Sequence, residues 1–134
     1  MRIQLALNVS DLDEAVLFYS DLFGVQPHKV RPHYANFAID SPPLKLVLFE
    51  NPTAEERLNH LGIEVNKSEQ LDVAEKRLSA GKILDQKEDG TTCCHAKQDK
   101  LWSQDPQGLR WEWYRITDDS PQLTAELPDC CVGL

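Results

Sequence analysis

Polar and apolar positions alternate from the start of the chain. Ile3, Leu5, Leu7 and Val9 are apolar, with Gln4, Ala6 and Asn8 between them. A period of two marks a strand with one face against a core. Past Val9 the spacing lengthens, and Ala15, Val16, Tyr19, Leu22 and Phe23 recur at the three- and four-residue steps of an amphipathic helix. This predicts a helix over Leu12–Phe23, with Ser10 or Asp11 as its N-cap and Gly24 at its end. The same succession returns later. Leu61, Ile63 and Val65 alternate with His60, Gly62 and Glu64, and Leu71, Ala74 and Leu78 then face inward on a helix over Ser68–Ala80 that ends near Gly81.

Each helix is followed by three more extended runs. In the first half they are Val25–Val30, Tyr34–Ile39 and Leu44–Phe49. In the second they are Lys82–Glu88, Thr91–Ala96 and, after the Asp105–Gly108 turn, Leu109–Ile116. The chain therefore reads as an internal repeat, βαβββ twice, over about residues 1–50 and 57–116, with Asn51–Arg57 as the crossover. The expected fold is α+β, one domain over residues 1–116 with a tail at 117–134, in which two βαβββ modules form a cupped mixed sheet. In the last strand Leu109, Trp111 and Trp113 are apolar, and Arg110, Glu112 and Tyr114 lie opposite. The apolar faces should pack under the helices, and the opposite faces should curl into the cup. By repeat symmetry Gln4, His60 and Glu112 converge there.

Composition narrows the partners. The 134 residues suit a single core without metal or disulfide staples. Lys and Arg number 14 against 22 Asp and Glu, a formal charge of −8. Such a surface repels phosphate backbones and anionic headgroups, so neither nucleic acid nor membrane is an expected partner. No apolar run approaches the roughly 20 residues of a spanning helix, and MRIQLALNV lacks the features of a signal peptide. A cytoplasmic protein is expected, and the pattern is compatible with a monomer or a homodimer.

The four cysteines come as two adjacent pairs, Cys93-Cys94 and Cys130-Cys131. Adjacent cysteines make a poor disulfide, because the closed ring strains the intervening peptide. Two neighbouring thiols suit the clamping of one thiophilic centre, or else serve as two small buried hydrophobes. His95 abuts the first pair and either activates a thiol, binds a metal or is an ordinary exposed loop histidine. Lys100 either lowers thiol pKa by its charge or is a surface lysine. His60 reads as a metal ligand or a satisfied half-buried histidine. Glu112, set between two tryptophans, needs a partner if buried, and a metal, Arg110 or Arg115 would serve. Glu64 shares the face of His60. His28, His33 and Tyr34 lie on the segment that would roof the cup.

Paired βαβββ units with a metal ligand on their first and last strands resemble the vicinal oxygen chelate superfamily, which includes glyoxalases, extradiol dioxygenases and bleomycin- and fosfomycin-resistance proteins. NVSDLDEAVLFYSDLFG and HLGIEV…DPQGLRWEWYR carry the resemblance over about residues 3–116. The doublet in TTCCHAKQDKLWSQDPQG narrows it, because it is similar to that of the carbon–arsenic lyases and cadmium-induced proteins of the superfamily. The resemblance implies that Fe(II) and O2 cleave the C–As bond of trivalent organoarsenicals such as methylarsonous acid, releasing arsenite. It implies Gln4, His60 and Glu112 as the metal-binding and catalytic set, and Cys93, Cys94 and Lys100 as the substrate-binding set.

The repeat offers four ligand positions, and aligning LKLVLFE with LRWEWYR puts Val47 at the fourth. One imidazole, one amide and one carboxylate leave open positions on an octahedral ion, as O2 chemistry requires. The set suits Fe(II), Mn(II), Ni(II) or Zn(II). Gln4 departs from the usual two histidines and a carboxylate and predicts looser binding. Two other readings stand beside this one. The first is a thiol protein that sequesters Cd(II) or As(III). The second is another enzyme of the scaffold, such as an extradiol dioxygenase, to which the doublet brings nothing. Cys130-Cys131 is expected to fold back over the cup or to be an accessory tail.

Overall fold

The computed structural model describes residues 1–93 and 95–119, with Cys93 described by its backbone alone. The elements are β1 (Arg2–Val9), α1 (Leu12–Phe23), β2 (Lys29–Arg31), β3 (Tyr34–Ile39), β4 (Leu44–Glu50), β5 (Leu58–Glu64), α2 (Ser68–Ala80), β6 (Gln86–Cys93), β7 (Ala96–Gln104) and β8 (Arg110–Asp118). They form the α+β fold expected from the repeat, one eight-stranded mixed sheet in the order β2-β3-β4-β1-β5-β8-β7-β6. Within each module the first strand pairs parallel with the last, β1 with β4 and β5 with β8. The antiparallel pair β1–β5 joins the modules at the centre.

Both helices match the periodicity. At the start of α1 the Asp11 carboxylate accepts from the Glu14 backbone N–H at 3.1 Å, and Gly24 closes the helix at φ +67°, a conformation natural to glycine. Leu12 is buried, and Ala15, Val16, Tyr19 and Phe23 pack with it on Val9, Phe37, Leu46 and Leu48. Leu22 departs from the expected stripe. It stands one helical step beyond Phe18, and both are 58% exposed. Under α2, Leu71, Ala74 and Leu78 pack on Val65 and Leu101, as the spacing predicts.

Three strand boundaries differ from expectation. The run Val25–Val30 is extended only at its end, as Lys29–Arg31, because Pro27 has no N–H to give a ladder. In the second module the expected break between Glu88 and Thr91 is a bulge, with Gly90 at φ +61° and a shift of register. The strand continues to Cys93, and the chain reverses there, with His95 at φ +63° and Cys93 paired with Ala96. The sequence from Lys97 to Gln104, unassigned by pattern, is the body of β7. Its alternation is hidden because Gln98 and Lys100 are buried polar residues.

The sheet closes more tightly than an open cup. Gln4, Ala6, Asn8, Lys45, Val47, His60, Glu64, Lys100, Glu112 and Tyr114 are all buried on the concave side. Buried charge costs free energy unless paired, so this face must contain a polar network. Among the described residues no helix is long and apolar enough to cross a membrane.

Candidate metal centre

The centre of the sheet supplies one side chain from each of three strands. Gln4 on β1 faces Gly62 on β5, and Gly62 faces Glu112 on β8. His60 lies one inward step along β5. Gln4 Nε2 lies 2.9 Å from His60 Nε2 and donates to Glu112 Oε1 at 2.8 Å. His60 Nε2 and Glu112 Oε1 are 3.4 Å apart. Three residues spread over 108 positions of sequence thus meet in one triangle. The His60 ring is held between Trp102, edge-on at 5.3 Å, and Phe49 at 6.4 Å.

The triangle has the dimensions of a metal face. Cis donors around an octahedral ion with bonds of about 2.1 Å stand about 3 Å apart. Its Gln4 corner is the amide nitrogen, which stands between His60 Nε2 and Glu112 Oε1. Were a divalent cation to bind here, His60, Glu112 and the Gln4 side-chain amide would be the residues to hold it. Among the described residues no three His, Cys, Asp or Glu side chains gather as a metal-binding group. A metal here would be held by one histidine, one carboxylate and an amide, a donor set that fits a cation accepting mixed nitrogen and oxygen ligands.

Lys100 is not a surface lysine, one of the two readings its sequence position allowed. It is 1% exposed and donates from Nζ to Glu112 Oε2 at 2.8 Å. The cation paired with Glu112 is thus Lys100 rather than Arg110 or Arg115. Arg110 instead stacks on Trp102, 4.1 Å from the ring centroid. Burial alone would raise the Glu112 pKa, but the Lys100 charge beside it holds its carboxyl well below the usual carboxylate range. The carboxylate is ionised, with one oxygen on the lysine and the other in the triangle.

A second network lies beside it. Glu64 accepts from Arg2 at 2.6 Å and from the Tyr114 hydroxyl at 3.2 Å, and Lys45 stands 3.8 Å away. Burial lowers the Lys45 pKa against the pull of Glu64, and burial together with Glu64 raises that of Tyr114. A cavity of about 10 Å³ separates these groups, walled by Gln4, Tyr34, Asn36, Val47, Ala96 and Glu112 among others. Val47, the residue that the repeat alignment sets opposite Glu112, lines this cavity with an apolar side chain. Asn36 Oδ1 is buried on this wall with no donor among the described residues.

Cys94 and the Cys93 side chain, with Cys130 and Cys131, lie outside the described residues. The two residues that follow the first doublet are packed against the rest of the sheet. Ala96 lines the cavity, and His95 is not an exposed loop histidine but is buried against Tyr34 with ring centroids 4.8 Å apart. Burial, with Lys29 and Arg31 nearby, lowers the His95 pKa, so its ring is neutral at pH 7. From β2, at the far edge of the sheet, Lys29 Nζ donates to His95 O at 2.7 Å and to Asp119 O and Oδ1 at 2.6 and 2.9 Å. His28 contacts the other Asp119 oxygen at 2.6 Å, and His33 pairs with Glu50 at 2.7 Å. Sequence reading missed Lys29, Gly62 and Asn59. Of these, only a glycine at an inward-facing strand position gave a signal.

The clasp between β2 and the end of β8 has a pH consequence. Partial burial would raise the Asp119 pKa, but hydrogen bonds from Lys29 and His28 hold it below its ordinary value. A depressed carboxylate contributes stability that is present above its unfolded pKa and lost as pH falls through the folded one. Asp119→Asn should therefore lower stability at pH 7 and flatten the acid limb of a denaturant-midpoint profile below about pH 4. A mutant profile parallel to that of the wild type would contradict the clasp.

Residues 3–113 match the family described as the Glyoxalase/Bleomycin resistance protein/Dioxygenase superfamily. The cadmium-induced protein CadI of Mycobacterium tuberculosis is 54% identical over 119 residues, covering 89% of this chain and 78% of that protein. A trivalent organoarsenical cleaving enzyme of Thermomonospora curvata is 48% identical over 132 residues, covering 97% and 87%. Among solved structures, the Mn(II)-bound glyoxalase from Novosphingobium aromaticivorans superposes with a TM-score of 0.65 at 18% identity, over 93% of this chain and 42% of that one. The last likeness is one of fold.

Proposed function

Since the chain belongs to the Glyoxalase/Bleomycin resistance protein/Dioxygenase superfamily, we propose that it is an Fe(II)- and O2-dependent C–As lyase. Its substrates would be trivalent organoarsenicals such as methylarsonous acid, and its role their detoxification. The observation that carries this reading is the Gln4–His60–Glu112 triangle, of which Gln4 and Glu112 line a cavity together with Ala96, two residues from the doublet. The 48% identical relative named for organoarsenical cleavage supports it over 97% of the chain.

Gln4, His60 and Glu112 would hold the iron, which when bound supplies a site for O2 activation. Cys93 and Cys94 would bind the substrate. Their two S–H groups displace two hydroxyls from RAs(OH)2, forming two As–S bonds and releasing two waters, so arsenic stays trivalent. Sulfur prefers this centre to hard pentavalent oxyanions. Lys100 keeps Glu112 ionised and turned towards the triangle, and Val47 keeps the fourth position apolar. The overall reaction balances as one methylarsonous acid and one O2 giving arsenite and formaldehyde: the methyl carbon is oxidised and O2 is reduced.

A second reading has its own support, the 54% identity to a cadmium-induced protein together with a centre that holds only two of the usual metal-binding residue types. In it the doublet sequesters Cd(II) or As(III) without turnover. Anaerobic loading with Fe(II), followed by air and methylarsonous acid, separates the two. Arsenite, formaldehyde and O2 uptake in equal amounts are expected for the lyase. Stoichiometric Cd(II) binding without O2 uptake would give the second reading. For the lyase, Cys93→Ser should lose arsenical binding but keep iron, and Glu112→Ala should lose iron and turnover but keep arsenical binding.

A further inference from the structure

We infer, resting on the metal-centre reading above, that Asn59 and Asn8 are positioning residues that hold His60 in its Nδ1–H tautomer, so that Nε2 keeps a lone pair for the cation. The direction of every bond in the relay follows from its far end. The carbonyl of Glu56, in the crossover between modules, can only accept, and it takes a hydrogen bond from Asn8 Nδ2 at 2.9 Å. That fixes the Asn8 amide, so its Oδ1 must accept from Asn59 Nδ2, 3.1 Å away. The Asn59 oxygen is then turned to His60 Nδ1 at 2.7 Å and requires a proton there. Asn8 itself is tied to the crossover, since its backbone N–H donates to Arg57 O at 2.7 Å and its carbonyl accepts from Arg57 Nε at 3.0 Å.

The other end of the imidazole agrees. With the proton on Nε2, an N–H would face the Gln4 NH2 group at 2.9 Å, donor against donor, and a bare Nδ1 would face the Asn59 oxygen. Both contacts would be repulsive at a ring only 1% exposed. The relay therefore prepares the ligand lone pair before any cation arrives, and it links the centre to the segment that joins the two modules. Neighbours of this kind orient a metal-bound histidine and are commonly worth roughly 10- to 100-fold in metal affinity.

The test uses the full chain and two readouts. Long-range 1H–15N spectra of the imidazoles in the metal-free chain give the tautomer, and anaerobic chelator competition gives the Fe(II) affinity. Wild type should show one Nδ1–H tautomer at His60. Asn59→Leu should give a mixture and bind Fe(II) roughly 10- to 100-fold more weakly. Asn59→Asp, which keeps an acceptor at Nδ1, should restore the single tautomer and most of the affinity. Asn8→Leu frees the Asn59 amide and should give the mixed tautomer even if Asn59→Leu fails to fold. An unchanged single Nδ1–H tautomer in either leucine variant, or an Nε2–H tautomer in wild type, would overturn the relay. Absence of Fe(II) binding by wild type would overturn the metal reading instead, because the tautomer is read without metal.

Discussion

Gly62→Ala is expected to weaken Fe(II) binding by more than tenfold and to destabilise the fold by about 1–3 kcal/mol, the usual range for overpacking a close-packed interior. Gly62 stands in the β1–β5–β8 ladder directly between Gln4 and Glu112. A Cβ there would meet Glu112 Cγ at 2.9 Å, the Glu112 carbonyl oxygen at 3.0 Å and Gln4 Nε2 at 3.4 Å. The carbonyl belongs to the neighbouring strand and has little room to yield. The added methyl must push Glu112 out of the triangle or part β5 from β8. Its backbone conformation is ordinary; the glycine is needed for close approach. Urea titration reads the stability change, and chelator competition reads the affinity. Wild-type affinity with unchanged stability would show that the two strands tolerate a side chain between the donors.

That position also shows how far the residues alone reach. The two helices were legible to their ends because α1 and α2 each carry an apolar stripe and a glycine stop. The concave set was legible because Gln4, His60 and Glu112 occupy matching places in strands of period two. What the pattern concealed was the depth of that face. Lys45, Glu64 and Lys100 look like solvated charges in sequence, yet all three are buried with Glu112. Their pairing is decided across strands β1, β4, β5, β7 and β8, at separations that no local rule sees. The turn in the second module was misplaced for a local reason. Gly90 carries the positive φ of a bulge within a continuing strand, whereas the reversal beside His95 has no glycine to announce it.

The pairing of Lys100 with Glu112 leads to the other large effect. Lys100→Met should cost about 3–5 kcal/mol in the absence of metal, because it leaves a buried carboxylate without its cation. The two charged atoms lie 2.8 Å apart, and both side chains are nearly inaccessible to water. Adding Glu112→Gln to Lys100→Met should recover much of the loss, because the uncompensated charge goes with it. The metal reading adds a sharper expectation. If Gln4, His60 and Glu112 bind Fe(II), the ion supplies the positive charge that the methionine variant lacks. A cation that binds only the native state raises stability with the logarithm of its concentration over its Kd. Fe(II) should therefore raise the thermal midpoint of Lys100→Met by more than that of wild type, and should leave the double variant nearly unmoved. Equal shifts in all three would mean that the ion binds elsewhere and that Lys100 is the only cation Glu112 serves.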